Sequence, residues 1–467
     1  MSSTPVDLKS VTSAIRIPSP QGQSFSGMNG SLGGAQPPEE PARPAVPQSL
    51  EDAGLPHSII EQLILKHLYF RGELSGRDLA NVLGLRFSLI DDLLEMMKRQ
   101  HQVGVKRSAG LGNNSSVFAL TEAGRTLTRE YIDQNGYVGP APVPLAQYSK
   151  LVVKQRHRAM WLTPELLQKA FRHLVVTPHL VSQIGPAVNS GKSFLIYGQP
   201  GNGKTAIAEA LFRIEDEPIF IPYALEYHGN IVQMYDPIYH QRIDDEESEL
   251  SALTPERTYD GRWFRSRRPF IITGGELTLE MLDLSYNESS KTYDAPFQLK
   301  ANNGIYLIDD FGRQKASPAE ILNRWIVPME RHIDYLTFRS GGKMTVPFEA
   351  FLIFSTNLNP SKLGDEAFLR RIQYKMLLRS PCEQEFRAIF QRYAESRQIA
   401  IDVGTLDRFI ARNYKGAHQR AFRRCHPRDV ISHALDIIQF ERRPPILDED
   451  VLNRAFHSCF VEEQHDE

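Results

Sequence analysis

Eight consecutive residues carry the most specific chemistry in the chain. Gly198 to Thr205 reads GQPGNGKT, which fits the pattern G-x-x-x-x-G-K-[ST]. Gly198, Gly201 and Gly203, with Gln199, Pro200 and Asn202 between them, let the backbone curl so that its N–H groups point at one centre. Such a curl is a cradle for phosphate oxygens, and a helix starting at its end adds partial positive charge. Lys204 is then placed to reach the β- and γ-phosphates of a nucleotide, and the Thr205 hydroxyl to bind Mg²⁺. The flanks suit this reading. Phe194–Tyr197 is an apolar run long enough for one buried strand, and Ala206 to Phe212 is a good helix start. The expected ligands are therefore ATP and Mg²⁺.

Further groups extend the site. Ile305 to Asp310 reads IYLIDD, an apolar strand running into two carboxylates. Asp309 is expected to hold Mg²⁺ through water, and Asp310 to orient the attacking water as a base. The plain alternative for Asp310 is a loop or helix cap. Phe348 to Pro360 is a second buried strand with a polar tip. Asn357 there is placed to bond the γ-phosphate or the attacking water, or else it only forms the turn before Asn359-Pro360. Arg370 and Arg371 fall on a helix or its end. Arg428 sits in the first turn of a helix beginning at His426-Pro427, where it opposes the helix dipole, so a phosphate partner explains it better than stability does.

These residues need elements to position them. A chain of 467 residues with 41% hydrophobic content can build two or three cores. The formal net charge of −2 argues against a general polyanion binder, and three cysteines provide no disulfide framework. No apolar stretch approaches membrane-spanning length and no basic-then-apolar signal opens the chain, so a soluble, cytoplasmic protein without membrane insertion is expected. Residues 1–52, rich in Ser, Pro and Gly, are expected to be a disordered tail. Residues 53–134 show three helical segments, with Ser75 and Ser88 as caps for the second and third, then two alternating runs around the turn-rich AGLGNN. This order resembles a winged helix-turn-helix. Its third helix carries Asp91, Asp92 and Glu95 against Lys98 and Arg99, a poor surface for base edges. A protein-docking or structural role is therefore favoured over DNA contact. Residues 135–160, rich in Pro and Gly at first, are expected to be a linker.

In this order, GQPGNGKT, IYLIDD, STN, FLRRI and HPRD resemble the Walker A, Walker B, sensor-1, arginine-finger and sensor-2 segments of the AAA+ ATPases. The resemblance covers about 162–461. It implies an α/β class: a P-loop αβα core with a parallel sheet over 161–380, followed by a helical lid over 381–467. ATP would lie between core and lid. Arg371, with Arg370 beside it, would act on a neighbouring subunit of a ring, most often a hexamer, and Arg428 would be the sensor-2 arginine. Two features depart from the common pattern. Asp310 stands where most of the superfamily has Glu, which implies slower turnover. About a hundred residues separate Lys204 from Asp309, far more than a core crossover needs, so insertions are expected. With the hairpin expected around Ser340-Gly341-Gly342, they resemble MoxR-type and related bacterial AAA+ proteins. The function so implied is a chaperone-like remodelling ATPase acting on a protein client. The alternatives are a DNA-directed loader or transcription-linked factor, and a slow nucleotide switch.

Overall fold

The computed structural model describes residues 42–107, 113–156, 162–214, 217–244, 258–364, 366–415 and 420–460. Residues 1–41 of the expected tail and 108–112, in the expected wing turn, lie outside the described residues.

Five strands form the central sheet: β1 (Phe194–Tyr197), β2 (Phe270–Thr273), β3 (Ile305–Ile308), β4 (Phe351–Thr356) and β5 (Tyr374–Leu377). Their spatial order is β2-β3-β4-β1-β5, and every neighbouring pair is parallel. The strands are almost wholly apolar because both faces are covered. Alternate side chains divide between two cores. Phe194, Ile196, Leu307, Ile353 and Met376 pack with the helices Pro164–Phe171, Pro178–Ser190 and Lys204–Phe212. Leu195, Tyr306, Ile308, Leu352 and Phe354 pack on the other face, against Ile321 and Trp325 of the helix Pro318–Arg331. Since all five strands run the same way, their carboxyl ends share one edge. Gly198, Asp309 and Asn357 follow β1, β3 and β4 directly, so they share it too.

The C-terminal helices Glu383–Ser396, Val403–Tyr414, His426–Phe440 and Glu449–Cys459 close on a separate core that includes Phe386, Phe409, Ile431 and Phe456. At the other end, helices His57–Arg71, Gly76–Leu83 and Phe87–Arg99 pack with a three-stranded antiparallel sheet whose middle strand is Val117–Leu120. Ser75 caps Gly76–Leu83, its Oγ accepting from Asp78 N at 3.1 Å. Ser88 does not cap the third helix. That helix begins at Phe87, two residues before the start that a Ser88 cap implies, with Arg86 before it and no side-chain cap. The Phe87 ring packs against this unit's core and draws its residue into the first turn.

Two expected boundaries are corrected. The tail does not extend to residue 52. Ser49 caps a short helix, Leu50–Ala53, and Pro44 O accepts from Asp260 N at 3.1 Å. Nor is 135–160 a linker. Val143–Pro144 is a strand and Leu145–Lys154 a helix, and Val143, Tyr148 and Val152 are buried with Leu225, Val232 and Trp263 of the insertion and Leu336 and Val346 of the hairpin. The insertion thus builds a second five-stranded sheet, with Val143–Pro144 as one edge. The salt bridge Arg262–Asp260, both side chains at most 2% exposed, fastens the junction. Arg262 Nη1 donates to Ala53 O (2.7 Å) and Nη2 to Gln147 Oε1 (3.1 Å). The expected hairpin is present: Ile333–Thr337 pairs antiparallel with Lys343–Pro347, and Gly341 N bonds Phe338 O at 2.8 Å.

Candidate phosphate-binding site

The loop after β1 is tied to the end of β4 by a bond from Gly198 N to Thr356 O (3.2 Å). Only glycine fits at 198, because a Cβ there would lie 2.3 Å from Leu378 O. Gly201 is held at φ +76°, and its missing Cβ would lie 2.5 Å from Cys425 Sγ. The loop then delivers the N-terminus of the helix Lys204–Phe212, with Gly203 as its N-cap.

Two short chains of polar groups meet beside this helix start. Lys204 is only 6% exposed. Its Nζ donates to Gly198 O (3.1 Å), Gln199 O (3.2 Å) and Asn357 Oδ1 (2.5 Å). Burial pushes the Lys204 pKa below the usual lysine value, while Asp309 and Asp310 pull it back up. Asn357 uses the other end of its amide as well, Nδ2 donating to Asp310 Oδ1 at 2.7 Å. One side chain therefore links the ammonium to the second carboxylate. Asp310 adopts φ +48°, a left-handed conformation that Asp tolerates better than most residues. In the other chain, Thr205 Oγ1 donates to Asp309 Oδ2 (2.7 Å), and Asp309 Oδ1 accepts from Asp310 N (3.0 Å). A hydroxyl beside a carboxylate is a hard-oxygen pair that suits Mg²⁺, with the remaining ligands left to phosphate and water. No group of three or more His, Cys, Asp or Glu able to hold a metal occurs among the described residues.

The C-terminal helical unit closes over the loop. Cys425 N donates to Gly201 O at 2.9 Å. Asn202, fully buried, donates from Nδ2 to Leu378 O and Ser380 Oγ, both at 3.3 Å. Arg423 bonds the same Ser380 hydroxyl and lies 3.5 Å from Gln199 Oε1. Arg424 Nη1 donates to Val175 O at 2.7 Å. Between core and helices lies a cavity of about 660 Å³, lined by Pro200 to Ala206, Asp309, Asp310 and Asn357, and by Tyr393 and Arg428 across from them.

Lys204, Thr205, Asp309, Asp310 and Asn357 are thus brought together. Arg428 opens onto the cavity, but its guanidinium pairs with Asp429 at 2.9 Å and its side chain is 64% exposed. Arg423 and Arg424, which the sequence reading passed over, bridge to the loop and its surroundings more directly. The signal was present in AFRRCHPRD, where three arginines fall within six residues. Arg370 and Arg371 do not join the cluster. Arg371 O accepts from Ser193 Oγ (3.4 Å), just before β1, and Arg371 Nε donates to Glu330 Oε1 (2.9 Å). That is the amino edge of the sheet, the whole length of β1 from the loop, or roughly 13 Å at ~3.3 Å per residue.

Comparisons with known proteins find low similarity. A family model described as a domain of unknown function (DUF8689) matches residues 382–458, the C-terminal helices. The chain matches none of the curated proteins. Among solved structures, NtrX from Brucella abortus is similar at 13% identity and a TM-score of 0.36, over 69% of this chain and 61% of that one. NtrX in complex with ATP gives 13% and 0.35, over 68% and 62%. Domain III of the Thermotoga maritima replication initiation protein DnaA gives 14% and 0.33, over 63% and 98%. The chain therefore spans about three fifths of the NtrX structures it resembles. No helix among the described residues is long and apolar enough to cross a membrane.

Proposed function

We propose that the chain binds ATP with Mg²⁺ and hydrolyses it, as an AAA+ ATPase of chaperone-like remodelling type that works in a ring. The observation that carries this reading is the meeting of Lys204, Thr205, Asp309, Asp310 and Asn357 around one cavity at the carboxyl edge of a parallel sheet. The loop amides bind phosphate oxygens, and Lys204 exchanges its loop carbonyls for the β- and γ-phosphates. Thr205 and Asp309 would hold Mg²⁺, which would supply neutralisation of phosphate charge. Asp310 orients the attacking water, and Asn357 keeps that carboxylate in register with the Lys204 ammonium. Arg371 lies too far from its own loop to serve it, which supports its action on a neighbouring subunit. Arg428 and the Arg423–Cys425 segment let the C-terminal helices respond to what the cavity holds.

The partner we favour is a protein client, recruited through the N-terminal winged helix. Asp91 and Glu95 both accept from Asn113 Nδ2, so these two carboxylates of the helix Phe87–Arg99 face the wing side, where a DNA reader would present Arg, Lys, Asn or Gln. The deciding experiment is calorimetric titration of the full chain with ATPγS and Mg²⁺. One nucleotide should bind per chain, and Lys204→Ala should weaken binding at least about tenfold, since each charge-assisted hydrogen bond lost costs about 1.5–3 kcal/mol. Equal affinity in the two proteins would end the assignment. Micromolar binding of duplex DNA that weakens steeply with salt would favour the DNA-directed alternative.

A further inference from the structure

The amino edge of the central sheet, opposite the phosphate loop, holds a second cavity of about 660 Å³. Its polar wall is made by Arg156, Arg213, Arg267, Arg268 and His332, with Glu349 as the one carboxylate among its lining residues. Glu349 is already committed. Its side chain is 6% exposed, it pairs with Arg156, and His332 Nδ1 lies 3.9 Å from its Oε2. Arg268 is held by backbone, Nη1 donating to Asn303 O at 2.8 Å and Gln155 O at 3.1 Å. Arg213 and Arg267 are exposed, and neither guanidinium has a hydrogen-bond or ion-pair partner among the described residues. Among the described residues that line it, the cavity therefore carries more positive than negative charge, in a chain whose net charge is −2. Ile214 and Phe351 add apolar wall.

We propose that this cavity binds a small phosphorylated molecule, gripped by Arg213 and Arg267. Guanidinium groups present planar forks of N–H donors that match phosphate oxygens two at a time. The volume lies within the usual range for small-molecule sites, about 300–1,000 Å³. The apolar wall suits the organic body of such a ligand. The placement is also distinctive. The helix that begins at Lys204 ends here, and β3 and β4, which lead to Asp309 and Asn357, begin here. An occupant would touch the far ends of three elements that carry the phosphate-loop cluster.

The test is calorimetric titration of the full chain with pyrophosphate at fixed ionic strength, on wild type, Lys204→Ala and the double variant Arg213→Gln/Arg267→Gln. Both arginines are exposed, so the double variant should fold, as circular dichroism will check. Wild type should bind two pyrophosphates per chain. Lys204→Ala should keep the site at the amino edge, and the double variant should weaken that site by at least about tenfold while leaving the phosphate loop intact. If Lys204 plays no part in phosphate binding, a single site sensitive only to the arginine pair would remain. The proposal is overturned if the arginine pair changes no binding step, whether wild type binds one pyrophosphate or several.

Discussion

Gly201→Ala probes how firmly the C-terminal helices sit on the phosphate loop. The substitution forces alanine to φ +76°, a left-handed conformation that costs an L residue about 1–2 kcal/mol. It also sets a Cβ 2.5 Å from Cys425 Sγ. Overpacking of this kind costs about 1–3 kcal/mol if the sulfur stays, and about 1 kcal/mol if its χ1 rotates away. The total is about 2–5 kcal/mol. Cys425→Ala separates the two contributions, because without the sulfur the nearest atoms are the Cβ atoms of Cys425 and Arg423 at 3.7 Å, an ordinary contact. In the double variant only the backbone cost should remain. Denaturant midpoints of the four proteins, with ATPγS affinity measured alongside, should give a coupling of at least about 1 kcal/mol between the two positions. A Gly201→Ala penalty that is the same with and without the sulfur would mean that Cys425 does not rest on the loop.

Three further outcomes are expected. Asp310→Asn keeps an oxygen that can accept from Asn357 and loses the negative charge, so ATP binding should persist while turnover falls by about 10²–10⁴, read by phosphate release. Arg371→Ala alone should bind ATP yet hydrolyse it about 10³-fold more slowly or worse, and mixing it with Lys204→Ala should restore part of the activity; proven subunit mixing without restored activity would count against action between subunits. Lys66 is 1% exposed with Asn135 O as acceptor, and burial pushes its pKa from 10.5 down to about 8. The unfolded chain therefore holds this proton to higher pH than the fold does, so stability should rise as pH climbs from about 8 towards 10.5. Lys66→Met should flatten that slope in denaturant titrations across this range and raise stability at pH 7 by about 1–3 kcal/mol.

The sequence by itself determined what depends on neighbours in the chain. The glycine spacing of 198–203, the apolar runs of β1, β3 and β4 and the Asp and Asn that follow them are local patterns. A parallel sheet turns such patterns into a site without further instruction, because it gathers every strand's carboxyl end on one edge. Ser75 as a cap was legible for the same reason. Tertiary structure decided whatever depends on residues far apart in sequence. Val143, Tyr148 and Val152 look like spacer until Leu225, Val232 and Trp263 arrive to bury them. Arg262 and Asp260 look like surface charges until Ala53 O and Gln147 enclose the pair. Arg423 and Cys425 reach the phosphate loop only because the C-terminal helices fold back across more than 200 residues of chain, Cys425 N meeting Gly201 O. The arginine-lined cavity at the amino edge draws on residues from 156 to 351, and a contact spread so widely leaves no periodicity or spacing for a linear reading to detect.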